Sequence, residues 1–204
     1  MDRIQTVNTT YKEILKEKGS SFIAYLFPAI NFEEFKEVLN NLEKEYHDAT
    51  HHCYAFKGID DFKYSDDGEP NGTAGIRILN AIEHYNLINV GIVVIRYFGG
   101  IKLGVGPLGK AYYDASEQVI KSAKILEKFK YFVYQIIFNF DDSSKVYHSL
   151  NSYNTNIVDT NYDENNNITI EFEILSTDLE SFLKSLNVIS YRLKIKDLNK
   201  IFYK

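Results

Sequence analysis

Gly91-Ile92-Val93-Val94-Ile95 constrains this chain more than any other stretch, since it has no polar side chain and four β-branched residues in a row. Such a run reads as a strand covered on both faces, and the segments around it mix β and α. Residues 10–18 and 20–28 read as a strand pair, the second ending at Pro28, which cannot donate to a central ladder. Asn31 offers a helix N-cap with Glu34 three residues on, and Phe32, Phe35, Leu39, Leu42 and Tyr46 follow at helical spacing. Residues 50–57 return to strand character. Ile76, Leu79 and Ile82 mark a helix over 73–86, and Pro107 suits the first turn of another over 107–124.

The second half has a different order: strand 130–140, helix 142–153, strands 155–162 and 167–175, helix 178–186 and strand 188–197. Asp163-Glu164-Asn165-Asn166-Asn167 breaks the two middle strands as a turn. That is βαββαβ, the ferredoxin-like arrangement of an antiparallel sheet with two helices on one face. The expected class is therefore α+β in two domains, 1–127 and 128–204. No Gly, Pro or Ser-rich linker stands at the junction.

Charge narrows the function classes. The net charge is −5 over 204 residues, with 15 Lys/Arg against 18 Asp/Glu in residues 1–128 and 8 against 10 in 129–204. Neither half has the basic excess of a general nucleic-acid binder, and no sequence-specific DNA reader is expected. No apolar run approaches the ~20 residues that span a bilayer, so no membrane partner is expected. One cysteine, Cys53, cannot make an internal disulfide, and the N-terminus lacks a secretory layout. A cytoplasmic protein is the expectation; nothing in the chain fixes an oligomeric state.

Two segments hold seven of the eleven glycines: Ser65 to Gly75, and Arg96 to Pro107. The first is acidic. Asp66, Asp67 and Glu69, beside the Ser65 and Thr73 hydroxyls, could hold Mg²⁺ through one or two carboxylates and a phosphate. They could equally cap a turn, or pair with Arg96 across the domain. The second segment is cationic, with Arg96, Lys102 and Lys110 and no acid between Glu83 and Asp114. Gly104 to Gly109 formally matches G-x-G-x-x-G. It stands five residues from the preceding strand, contains Pro107 and has no acid some twenty residues on, so it is no dinucleotide fingerprint. A helix opening at Gly106-Pro107 could still receive an anion such as an RNA phosphate, near Lys102 and Lys110; the glycines could instead serve tight packing.

His51 and Cys53 share one face of their strand, and His52 and Tyr54 the other. A His–Cys nucleophile pair is not expected from same-face neighbours. The favoured role for His51 or His52 is a buried, hydrogen-bonded side chain lining the Asp66–Glu69 cleft. Tyr97, Phe98, Tyr112 and Tyr113 are the candidates for stacking RNA bases.

Three stretches carry a resemblance: His51-His52-Cys53-Tyr54-Ala55, Ser65 to Gly75, and Val93 to Gly106. With these the chain resembles the YigZ/IMPACT family, proteins linked to translation, and its tail is similar to the second domain of bacterial members. Departures from the family pattern fall at Ser21, Ile76-Arg77 and Pro107. The resemblance implies a first domain of the ribosomal-protein type, like domain IV of elongation factor G, with a left-handed βαβ crossover. It implies a second domain like that factor's last one. Eukaryotic relatives act on a translation-inhibiting kinase through an extra domain. The expectation is a regulatory binding protein rather than an enzyme, contacting RNA or the ribosome through 65–75 and 96–110, with no cofactor. The alternative is a Mg²⁺-dependent phosphate-handling hydrolase or transferase on the same loops. The expected site comprises His51, His52, Ser65, Asp66, Asp67, Glu69, Thr73, Arg96, Lys102, Gly104, Gly106 and Lys110, with Asp66 and Asp67 as the metal ligands if a metal binds.

Overall fold

The computed structural model describes residues 1–204 except the side chains of Val188 and Ser190. It is a mixed α/β structure with two antiparallel sheets. The chain divides into two compact units, Gln5–Glu127 and Met1–Ile4 with Lys128–Lys204. A short strand, β1 (Arg3–Thr6), opens the chain.

The first unit starts with a hairpin of β2 (Tyr11–Glu17) and β3 (Ser20–Pro28). Its turn residues Lys18 and Gly19 both have positive φ, 46° and 81°. That is the two-residue turn whose twist matches paired strands. Then come α1 (Phe32–Glu45), β4 (His51–Lys57), β5 (Phe62–Ser65), α2 (Gly75–His84), β6 (Val90–Tyr97) and α3 (Val105–Ser122). The sheet order is β2-β3-β6-β4-β5, with every neighbouring pair antiparallel. The apolar run is the middle strand β6, buried from Val90 to Arg96. One face of the sheet packs against Phe35, Leu39 and Leu42 of α1. The other packs against Ile78 and Ile82 of α2 and Leu108, Tyr112 and Val119 of α3.

α1 begins as its spacing predicts. Asn31 Oδ1 accepts the Glu34 N–H at 2.9 Å, and the Glu34 carboxylate accepts the Ile30 N–H at 3.0 Å. Its approach to the sheet depends on Gly91, where an added Cβ would stand 2.4 Å from the buried Phe35 ring. Overpacking a close-packed core costs about 1–3 kcal/mol. Gly91→Ala is thus expected to lower stability by that amount in urea denaturation, and Gly91→Ala with Phe35→Leu to recover part of it.

The second unit runs β7 (Leu126–Asn139), α4 (Ser143–Ser152), β8 (Thr155–Tyr162), β9 (Asn167–Leu175), α5 (Leu179–Ser185) and β10 (Lys194–Tyr203). Its sheet order is β8-β9-β7-β10, antiparallel throughout, with β1 also beside β7. Ile168, Ile170, Phe172 and Ile174 alternate inward along β9 onto Val146 and Leu150 of α4 and Phe182 of α5. Outward residues Glu171 and Glu173 pair with Lys200 and Lys204.

Three elements differ from the sequence reading. The strand expected at 188–197 starts only at Lys194, because Asn187–Arg192 forms a 3₁₀ turn. Backbone bonds from Leu186 to Leu183 and from Ile189 to Leu186 tighten the end of α5 into it. β1 and β5 were not anticipated, being four residues each; β5 does alternate, Phe62 and Tyr64 against Lys63 and Ser65, but it is short and most of it is exposed. Among the described residues no helix is long and apolar enough to cross a membrane.

Candidate functional site

The site grows from the β4–β6 pairing, which sets His51 opposite Arg96 and Cys53 opposite Val94. His51 and Cys53 point to the α2/α3 side, and the segment after β5 folds back over them. Asp66 turns inward. Its Oδ1 accepts the N–H groups of Ala74 and Gly75 at 2.9 and 2.8 Å, and its Oδ2 accepts that of Gly72 at 2.8 Å. Ala74 caps α2 without a side-chain bond of its own, so Asp66 supplies the acceptor that a Ser or Asp at the cap would.

The next two residues, Asp67 and Gly68, have φ of 42° and 81°, and this turn aims their neighbours at the histidines. Asp67 Oδ2 accepts the His52 N–H at 2.5 Å. The Asp67 carbonyl lies 2.7 Å from His51 Nδ1. A carbonyl only accepts, so Nδ1 carries the hydrogen, and His51 Nε2 faces Glu69 Oε2 at 3.8 Å. The ring of His52 turns to the other side of the sheet, with Nε2 3.1 Å from the Tyr46 carbonyl.

Glu69 is the centre of the arrangement and is only 7% exposed. Its Oε1 accepts from Arg96 Nη1 at 2.5 Å and from the Tyr112 hydroxyl at 2.8 Å. Arg96 is 5% exposed. Its guanidinium sits between two rings, 5.3 Å from the centre of Phe22 and 5.4 Å from that of Phe98. Nη2 reaches Ser20 Oγ at 3.4 Å, while Nε has no hydrogen-bond partner among the described residues. Cys53 Sγ lies 2.9 Å from the Asp66 carbonyl and 3.3 Å from the Tyr112 hydroxyl. Burial, joined by the Glu69, Asp67 and Asp66 charges, pushes the Cys53 thiol well up. Burial does the same to the Tyr112 hydroxyl. Cys53 therefore stays protonated and is a poor nucleophile.

Of the expected site residues, His51, Asp66, Asp67, Glu69 and Arg96 come together, and His52 joins them only through its backbone N–H. Ser65 supports the turn by accepting the Asp67 N–H at 3.2 Å, and Thr73 bonds the Pro70 carbonyl at 2.6 Å. Lys102 stays outside the cluster, exposed, and none of the described side chains pairs with it. Lys110 pairs with Asp114 and, with Arg77, Asn80, Gly106, Gly109 and Tyr113, lines an open hollow of about 410 Å³ at the start of α3. Gly104 precedes α3 at φ 89°.

Two expectations are corrected. Arg96 is not a surface contact, because the acidic segment has drawn it into the core. Tyr112 is fully buried and stacks on nothing from outside; Tyr97 and Tyr113 are half-buried, with their hydroxyls bonded to Asp48 and His84. Ser20, Thr50 and the Tyr112–Glu69 bond were missed. Tyr112 had a signal: a tyrosine on the apolar stripe of a helix needs a buried partner for its hydroxyl. For Ser20 and Thr50 there was none.

The model of the Impact N-terminal domain matches residues 18–120, which hold β3 through most of α3 and the whole Glu69–Arg96 cluster. The chain belongs to the IMPACT family. It is 39% identical to IMPACT family member YvyE of Bacillus subtilis over 119 residues, 57% of this chain and 54% of that protein. It is 37% identical to Protein IMPACT of Rattus norvegicus over 98 residues, 44% of this chain and 30% of that one. In these matches the chain spans about half the length of the bacterial relative and under a third of the rat one. A crystal structure of a hypothetical protein superposes at a TM-score of 0.70 with 24% identity, covering 98% of this chain and 99% of the other. That likeness establishes a shared fold over both units.

Proposed function

We propose that this chain is a non-enzymatic, cytoplasmic, translation-associated regulatory protein that binds RNA or the ribosome through the outward part of the segment from Phe98 to Lys110. Membership of a family with a eukaryotic Protein IMPACT supports a translation-related role. The observation that carries the surface assignment is the fate of the acids. Asp66 and Glu69 turn inward onto backbone N–H groups and Arg96, and the exposed stretch from Phe98 to Lys110 carries lysines and no carboxylate. Phosphate can approach Lys102 without displacing a carboxylate, and at Lys110 it competes with Asp114.

The finer fold reading belongs here as well. The β8-β9-β7-β10 order, with α4 and α5 on one face, supports a ferredoxin-like second unit like the last domain of elongation factor G. The first unit is read as the counterpart of that factor's domain IV. Fold analogy alone does not fix function. On the open face of the second unit's sheet Lys200 and Lys204 are already paired with Glu171 and Glu173 of β9, which makes it a poorer RNA platform than the first unit. The Mg²⁺-dependent hydrolase or transferase reading ranks second. It needs Asp66 to give up three backbone N–H groups, and among the described residues no three His, Cys, Asp or Glu side chains are grouped to hold a metal.

Ribosome co-sedimentation tests the proposal. Removing one lysine that neutralises a phosphate is expected to reduce the slope of log affinity against log salt by about 0.7 for single-stranded RNA. Lys102→Ala with Lys110→Ala should weaken co-sedimentation and flatten that slope by up to twice this amount. An unchanged profile in the double variant overturns the assignment.

A further inference from the structure

We propose that the Phe98 ring is a stacking platform for one unpaired base of single-stranded RNA, with Lys102 contacting the adjoining phosphate; this rests on the RNA reading above. Phe98 is 44% exposed, yet it is held firmly. Its N–H donates to Thr50 Oγ1 at 3.0 Å, and one ring face lies over the Arg96 guanidinium. Arg96 is in turn fixed by Glu69 and backed by Phe22. Phe22, Arg96 and Phe98 thus form a stack whose inner end is fully buried and whose outer end is in solvent.

The backbone beyond the ring keeps that outer end clear. A Cβ at Gly99 would fall 1.9 Å from the Gly19 carbonyl carbon, so the segment presses directly on the β2–β3 turn. Gly100, at φ 84°, then turns away with nothing within 4 Å of where a side chain would start. The ligand class follows from the neighbours. Ile101 and Val105 are exposed, Lys102 is unpaired among the described residues, and Lys18 stands on the turn against which Gly99 packs. An exposed aromatic face in a segment whose charged side chains are lysines suits a flat base carrying a phosphate, with exposed Glu17 beside Lys18 the acid on the adjoining turn. Stacking of this kind is tolerant of sequence and supplies a large part of single-strand affinity.

The test is fluorescence anisotropy of the full chain with a labelled 12-nucleotide oligo(A) and with duplex RNA of the same length. Single strand should be preferred. Phe98→Ala should weaken single-strand binding about tenfold or more with the salt slope unchanged, and Phe98→Tyr should bind as the parent does. Phe98→Leu, which keeps an apolar cover over Arg96 but has no π face, should behave as Phe98→Ala does while melting like the parent. A 2-aminopurine base in the oligonucleotide should be quenched by the parent chain and not by Phe98→Leu. If Phe98→Leu binds normally while Lys102→Ala weakens binding, the platform is refuted and the RNA reading stands. If the parent binds neither RNA, both fall. A parent dimer that Phe98→Leu dissociates in sedimentation equilibrium would assign the ring to self-association and overturn the proposal.

Discussion

Glu69→Ala is expected to destabilise the first unit by about 3–5 kcal/mol, the penalty for leaving one member of a buried ion pair without its partner. The Arg96 guanidinium has no route to water at 5% exposure, and its Nε is already without an acceptor. The Tyr112 hydroxyl loses its acceptor at the same stroke. Arg96→Met should cost a similar amount, since the buried carboxylate then loses its cation and keeps only the Tyr112 hydroxyl as a donor at Oε1. The informative variant is the double one. Glu69→Leu with Arg96→Met removes both charges, and apolar replacement of a buried pair is often neutral or stabilising, so it should recover most of the loss. Urea denaturation of the parent, Glu69→Leu, Arg96→Met and the double variant, followed by a probe in the first unit, gives the coupling directly. A Glu69→Ala loss below about 1 kcal/mol would mean that water reaches the pair. The double variant has a second use. Phe98 rests on the Arg96 guanidinium, so a stable Glu69→Leu, Arg96→Met protein that no longer stacks RNA would show the pair acting as a support for the ring.

How much of this could be read in advance follows from where each interaction lies along the chain. Local signals served well. The β-branched run became the middle strand with both faces covered, and Asn31–Glu34 became a cap. The strand read at 167–175 became β9 with those bounds. The acid–arginine link was foreseeable only as one of three uses for the acidic segment. Asp66, Asp67 and Glu69 are chemically alike and within four positions, and what separates them is the turn at Asp67-Gly68. That turn sends Asp66 to the start of α2, Asp67 to β4 and Glu69 into the core. Arg96 misled because a cation beside glycines looks like a surface group. Its burial depends on the register of β4 against β6 and on Phe22 from β3, contacts that no local pattern encodes. Strand β5 was lost for a plainer reason. It is a short edge strand between acidic turns, and although Phe62 and Tyr64 favour a strand, four residues stand out too little before the pairing with β4 is seen.

Asp66→Ala should lower stability by about 2–4 kcal/mol, because three N–H groups lose a charged acceptor together and each hydrogen bond to a charged group contributes roughly 1.5–3 kcal/mol. The figure is held below the full sum because the Asp66 carboxylate is only partly buried, and water can replace some of what is removed. Asp66→Asn is expected to retain about half. Its remaining oxygen can serve Ala74 and Gly75, whereas its amide N–H₂ would face the Gly72 N–H, donor against donor. Asp67→Ala should cost under about 1 kcal/mol, since that side chain is 48% exposed and makes one backbone bond. The order Asp66→Ala, Asp66→Asn, Asp67→Ala can be read from thermal melts in EDTA. Amide hydrogen exchange at Gly72, Ala74 and Gly75 should accelerate in the first two variants and not in the third. A carboxylate kept for Mg²⁺ behaves the opposite way: with metal removed, its loss relieves repulsion among neighbouring acids and leaves those amides as they were. Asp66 variants that melt like the parent in EDTA, and less stably than it only when Mg²⁺ is restored, would reinstate the phosphate-handling reading and take away the reason for placing RNA on the lysine-bearing segment alone.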